Sequence, residues 1–270
     1  MGPRIWLWPN LLSLDAPLVA VLWQILFIRC FHAAVPASGN ALPSVLLVSA
    51  VWLIYAADRA LDAWRGCGDR PRHEFYRRHW RAILPVWTIV LSATAWLAWT
   101  QLPGRTFEHG VWLAAAIVVY FAAVHLSARG SQRKWPKEAA VAVIFALGAS
   151  LASWTRVETR ADVFTVIFFS CLCWINCVAI ENWEHGEEHG GEHGPSPYPL
   201  GLMAACVGLA AILILHHQRP ILASAEASSA AAFVLLDRSR LKFSADALRV
   251  LADAALLSPI FFLPLAGTGF

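Results

Sequence analysis

Residues 163–180 read VFTVIFFSCLCWINCVAI, followed at once by Glu181, Asn182, Trp183, Glu184 and His185. A run of this length without a charged side chain reads as a helix that crosses a bilayer. A carboxylate at its very end is expensive in lipid, so Glu181 asks for a reason. Outward from this run, hydropathy marks nine spans: 13–33, 41–60, 82–101, 109–127, 138–155, 162–181, 198–216, 220–236 and 246–266. The interval 220–236 is rich in Ala and Ser, which suits close packing between helices, although it contains Glu226. Spans of about 20 residues each leave only tails and short connections, so residues 1–270 read as a single transmembrane domain. The fold class expected is all-α, a polytopic membrane helical bundle.

Composition agrees. Of the 270 residues, 58% are hydrophobic and 14% charged. That balance excludes a disordered chain, a nucleic-acid-binding module and a secreted disulfide scaffold, and it argues against a soluble enzyme. The net charge of +3 names no partner beyond membrane lipids. The six cysteines (Cys30, Cys67, Cys171, Cys173, Cys177 and Cys206) form no C-x-x-C pair and read as reduced packing residues. The N-terminal residues lack the basic, apolar and small-residue order of a removable signal peptide. Arg4 and the connections after spans two, four and eight hold fifteen of the 21 basic residues. The positive-inside rule then places the N-terminus in the cytoplasm and the C-terminus outside, in a cell (inner) membrane.

The ionisable residues within or bordering the spans are not scattered. Asp15 opens span one, Asp58 and Asp62 end span two, Glu138 opens span five, Glu181 ends span six, and Arg249 and Asp253 begin span nine. All fall at the cytoplasmic ends of their helices, which predicts a shared polar cavity opening inward.

Tyr55-Ala-Ala-Asp58-Arg59-Ala-Leu-Asp62-Ala-Trp-Arg65 is the first constellation. Tyr55, Asp58 and Asp62 share one helix face. Stacked carboxylates repel, and a divalent cation relieves the repulsion; hard oxygen ligands suit Mg²⁺. The plainer alternative pairs Asp62 with Arg65 and Asp58 with another arginine. In the second constellation Glu181, Glu184 and His185 share a face, and Asn176 lies about 140° away, so that either it faces a different partner or the helix breaks. Arg133, Lys134 and Lys137, between spans four and five, are basic as topology demands, and they are also the groups that would embrace a diphosphate. The three histidines His185, His189 and His193 lie in a glycine-rich segment that reads as a solvated loop, a lid or a metal stripe.

Together these features resemble the UbiA-type intramembrane prenyltransferase superfamily over almost the whole chain. That family has nine transmembrane helices, an Asp-rich motif N-D-x-x-D-x-x-x-D after helix two, a second after helix six, and a cytoplasmic-facing site. Asp58, Arg59 and Asp62 match the end of the first motif, while Ile54 and Tyr55 stand where the family has Asn-Asp. Glu181 and His185 occupy the acidic positions of the second motif. Residues Arg133, Lys134 and Lys137 match the family's basic segment.

The resemblance implies a UbiA-like bundle that moves an isoprenyl group from a prenyl diphosphate to a membrane-embedded, lipophilic acceptor. Tyr55, Asp58, Asp62 and Glu181 would be catalytic. Arg59, Arg65, Arg133, Lys134 and Lys137 would hold the diphosphate, and Asp58, Asp62, Glu181, Glu184 and His185 would ligate Mg²⁺. The alternative is a non-catalytic or transporter-like protein of the same fold that binds a lipid or ion, with Asp15, Arg249 and Asp253 as a relay.

Overall fold

The computed structural model describes residues 12–31, 41–65, 71–126, 137–188 and 199–266. Among them every regular element is helical: α1 (Asp15–Phe31), α2 (Leu42–Arg65), α3 (Pro71–Gln101), α4 (Gly104–Leu126), α5 (Lys137–Ser150, continued as a 3₁₀ segment, Leu151–Arg156), α6 (Arg160–Glu188), α7 (Leu200–Leu215), α8 (Pro220–Ser239), α9 (Ala245–Ala255) and the single turn α10 (Pro259–Phe262). The described part of each predicted span lies on one of these helices, apart from short breaks. Among the described residues six helices are long and apolar enough to cross a membrane: α2, α3, α4, α5 with its 3₁₀ extension, α6 and α8. The other three intervals are shorter. α1 has 17 residues and α7 has 16, and the ninth interval is broken between α9 and α10.

The break has a local cause. Pro259 has no N–H to donate, and the chain turns at 256–258 before a short helix resumes. Irregular backbone inside a membrane protein must find partners within the protein. Here the freed carbonyl of Leu256 accepts the Trp23 indole N–H at 2.8 Å. Ser258 donates to the Ala225 carbonyl and takes a hydrogen bond from Ser229, both at 2.8 Å.

Trp23 also centres the core. Its ring stacks on Phe169 with centroids 4.3 Å apart, and Phe27 stands edge-on to Phe169 at 5.7 Å. α1 and α6 are thus the inner helices, ringed by α5, α7, α8 and α9. Trp23→Phe retains the ring but strands the Leu256 carbonyl. We expect it to lower stability by about 1–3 kcal/mol, read as an earlier thermal unfolding transition in detergent.

The small-residue interval predicted around 220–236 packs closely. α8 lies against α7, with Gly208 so near Ala230 that a Cβ added there would sit 2.8 Å from the Ala230 Cβ. α3 and α4 are peripheral. α3 packs on α2, α4 on α5, and neither buries any residue of its most apolar window. Their outward side chains, Trp96, Trp99 and Trp112 among them, are those of lipid-facing helices.

Candidate functional site

The last turns of α2 present three faces, because successive residues advance about 100°. Asp58 and Asp62 occupy one. Tyr55 and Arg59 lie on a second, toward Asp15, and Ala56, Ala60 and Ala63 on a third. Arg59 is 4% exposed, and its guanidinium faces the Asp15 carboxylate of α1 at 4.0 Å. Asp253 of α9 completes this group, with Asp15 and Arg59 beside it. It accepts a hydrogen bond from the Asn176 amide of α6 at 3.0 Å. The offset read from the sequence between Asn176 and Glu181 therefore has a physical counterpart. Asn176 turns toward α9, while Glu181 turns toward α5.

The other half of the site is built where α5 begins. Lys137 Nζ lies 3.2 Å from Glu181 and 3.5 Å from Glu138, and the two carboxyl groups are themselves neighbours. Two aromatic hydroxyls join the halves. Tyr120 of α4 stands within electrostatic reach of Asp58 and Asp62 of α2, Glu138 of α5 and Cys177 of α6. Tyr55 of α2 has Cys177, Asp253 and Asp15 around it. The acidic ends of α2 and α6 are thus at the same end of the bundle and turned toward a common space.

Of the residues predicted to act, Asp58, Asp62, Glu181 and Lys137 are brought together here through Glu138 and Tyr120. Tyr55 and Arg59 belong to the adjoining Asp15–Asp253 group on the α1 side. Arg65, Glu184 and His185 lie on described helix, but their side chains fall outside the described residues, as do Arg133, Lys134, His189 and His193 altogether. The described cysteines form no disulfide. Sequence reasoning missed Tyr120 and Cys177. The one available signal for Tyr120 was a hydroxyl near the end of an otherwise apolar run, since the chain has only four tyrosines.

Among the described residues, no three His, Cys, Asp or Glu side chains gather to hold a metal ion. The carboxylates come in pairs, Asp58 with Asp62 and Glu138 with Glu181. Mg²⁺ is commonly held by one or two carboxylates and completed by water and phosphate oxygens, not caged by protein alone. The paired arrangement suits that mode of binding.

Fold and site define a class: an all-helical protein with several membrane-length apolar helices and an acidic cluster gathered at one end of its bundle. Comparison with family models, curated proteins and solved structures returns no match that would carry the assignment further.

Proposed function

We propose that this chain is a UbiA-like intramembrane prenyltransferase with nine membrane-crossing segments, its acidic end in the cytoplasmic leaflet. It would transfer an isoprenyl group from a prenyl diphosphate to a lipophilic acceptor in the membrane. The supporting observation is the convergence of Asp58, Asp62 and Glu138 around Tyr120, with Lys137 joining Glu138 to Glu181.

Bound Mg²⁺ would supply positive charge to the diphosphate. The chain's own residues do the rest. Asp58 and Asp62, with Glu181, Glu184 and His185, would hold the ion. Lys137 is about half exposed and balanced between two carboxylates, so it is free to swing to a phosphate oxygen, joined by Arg133 and Lys134. The prenyl C–O bond breaks with its electron pair leaving on the diphosphate. The allylic carbon bonds to the acceptor, which gives up a proton to the released diphosphate. Tyr55 and Tyr120 offer ring faces to the passing cation.

The test uses purified chain with geranyl, farnesyl and geranylgeranyl diphosphates, with and without Mg²⁺. Mg²⁺-dependent binding of at least one, and release of diphosphate when membrane extract supplies acceptors, is the expected result. A folded protein that neither binds nor cleaves any of them rejects the enzyme reading.

A second reading rests on a separate observation. Glu226 is fully buried in α8, and neither carboxyl oxygen has a hydrogen-bond partner among the described residues. With the Asp15–Arg59–Asp253 group, it suits a transporter-like protein that passes an ion. Proton flux into liposomes holding the protein, lost on Glu226→Gln, would favour it.

A further inference from the structure

The outer side of α2 carries a feature the acidic cluster does not use. Ala56, Ala57, Ala60 and Ala63 form a floor with almost no side-chain volume, and α3 sets large side chains opposite at 76, 80, 83 and 87. Tyr76, Trp80, Ile83 and Trp87 recur at spacings of three and four, so they form one ridge. Two hydrogen bonds fix its ends. The Tyr76 hydroxyl bonds the Ser13 hydroxyl at 2.9 Å, and the Trp87 indole donates to the Leu53 carbonyl at 3.0 Å. Tyr76 packs down onto Ala56 and Ala63, which are buried, while Ala57, Ala60 and Leu61 stay partly open beside the contact. An apolar groove of about 240 Å³ remains.

The groove's length and charge say what fits it. Eleven residues separate Tyr76 from Trp87, so the ridge runs roughly 16 Å along the helix. That is about half of a hydrocarbon core roughly 30 Å thick, the depth of one leaflet. The lining is apolar except for Arg77, which sits at the end where α3 begins. Arg78 and Arg81 stand beside it, all three exposed, with Arg81 over the Trp80 ring at 5.7 Å. Among the described residues no carboxylate pairs with any of the three. A leaflet-deep apolar slot ending in three exposed arginines is complementary to one acyl chain capped by an anionic phosphate.

We propose that the α2–α3 groove is a binding site for an anionic phospholipid, with one acyl chain along Ala57, Ala60 and Leu61 and the phosphate on Arg77, Arg78 and Arg81. The site lies on the face of α2 away from Asp58 and Asp62 and stands whatever the reaction at the acidic cluster.

Native mass spectrometry of the full chain in detergent, titrated with palmitoyl-oleoyl phosphatidylglycerol or phosphatidylcholine, tests it. One phosphatidylglycerol should be retained, at least fivefold over phosphatidylcholine. Ala60→Leu, which fills the groove, should reduce retention of phosphatidylglycerol at least fivefold. Arg77→Gln changes only an exposed side chain. It should erase the preference for the anionic lipid while leaving the melting temperature unchanged. Equal retention of both lipids, retention unaffected by both substitutions, or a second copy of the chain occupying this face would overturn the proposal.

Discussion

Asp58→Asn is expected to lower diphosphate release from a prenyl diphosphate by at least a hundredfold, and Asp62→Asn to do the same. Each substitution keeps size and shape but removes one of two negative charges at the end of α2. Losing a preorganised electrostatic group at a reacting centre typically costs about 2.7–4 kcal/mol, or 10²–10³ in rate. The pair acts as a unit, so the double variant should be little slower than either single one. Asp58 and Asp62 face the common space, and Tyr55 and Arg59 turn to the structural group with Asp15. Neither substitution should therefore disturb the fold. The check is the initial rate with farnesyl diphosphate in membranes holding equal amounts of each variant, beside thermal unfolding of the purified proteins. Rates within threefold of the unsubstituted chain, with the fold intact, would remove the acidic pair from the proposed reaction.

The helices were legible because apolar runs of membrane length need no long-range information. The gathering of carboxylates at one end was legible too. Asp15 and Glu138 lie in the first turns of α1 and α5, Asp58 and Glu181 lie two turns before the ends of α2 and α6, and alternating helix direction brings those ends to one level. The partner of each charged group was not legible. Arg59 follows Asp58 in sequence, yet it is committed to Asp15, 44 positions away, because a 100° step turns it from the shared space toward α1. The broken ninth segment was hidden for a related reason. Pro259 marks a possible stop, but only the Trp23 indole and the Ser229 hydroxyl make an interrupted backbone tolerable there. Tyr120 escaped notice because its neighbours arrive from three other helices.

A second signal lay unread in Thr159-Arg160-Ala161-Asp162, and it carries the largest expected effect on stability. Thr159 caps α6, and the residue three positions on is acidic, the pattern of a capping box. The structure has both halves. The Asp162 N–H donates to the Thr159 hydroxyl at 3.3 Å, and the Asp162 carboxylate accepts the Thr159 N–H at 2.9 Å and the Glu158 N–H at 3.1 Å. The carboxylate's other oxygen accepts from Arg219 Nε at 2.7 Å. Arg219 in turn donates to the Cys30 carbonyl at 3.1 Å and lies over the Phe31 ring. One fully buried carboxylate thus clasps the start of α6, the start of α8 and the end of α1. Asp162→Ala removes the cap and leaves the arginine without its counter-charge. Breaking a buried pair from one side costs about 3–5 kcal/mol. Arg219 keeps some exposure and regains some water, so the expected loss is on the order of 3 kcal/mol. Asp162→Asn keeps an acceptor for the backbone N–H groups and should fall between Asp162→Ala and the unsubstituted chain. The clasp lies at the other end of α6 from Glu181, roughly 28 Å away along the helix. The folded fraction of Asp162→Ala should therefore bind prenyl diphosphate as the unsubstituted chain does. Thermal unfolding in detergent reads the first effect, and titration of farnesyl diphosphate at low temperature reads the second. An unshifted unfolding transition would mean that the three helices are held by packing alone.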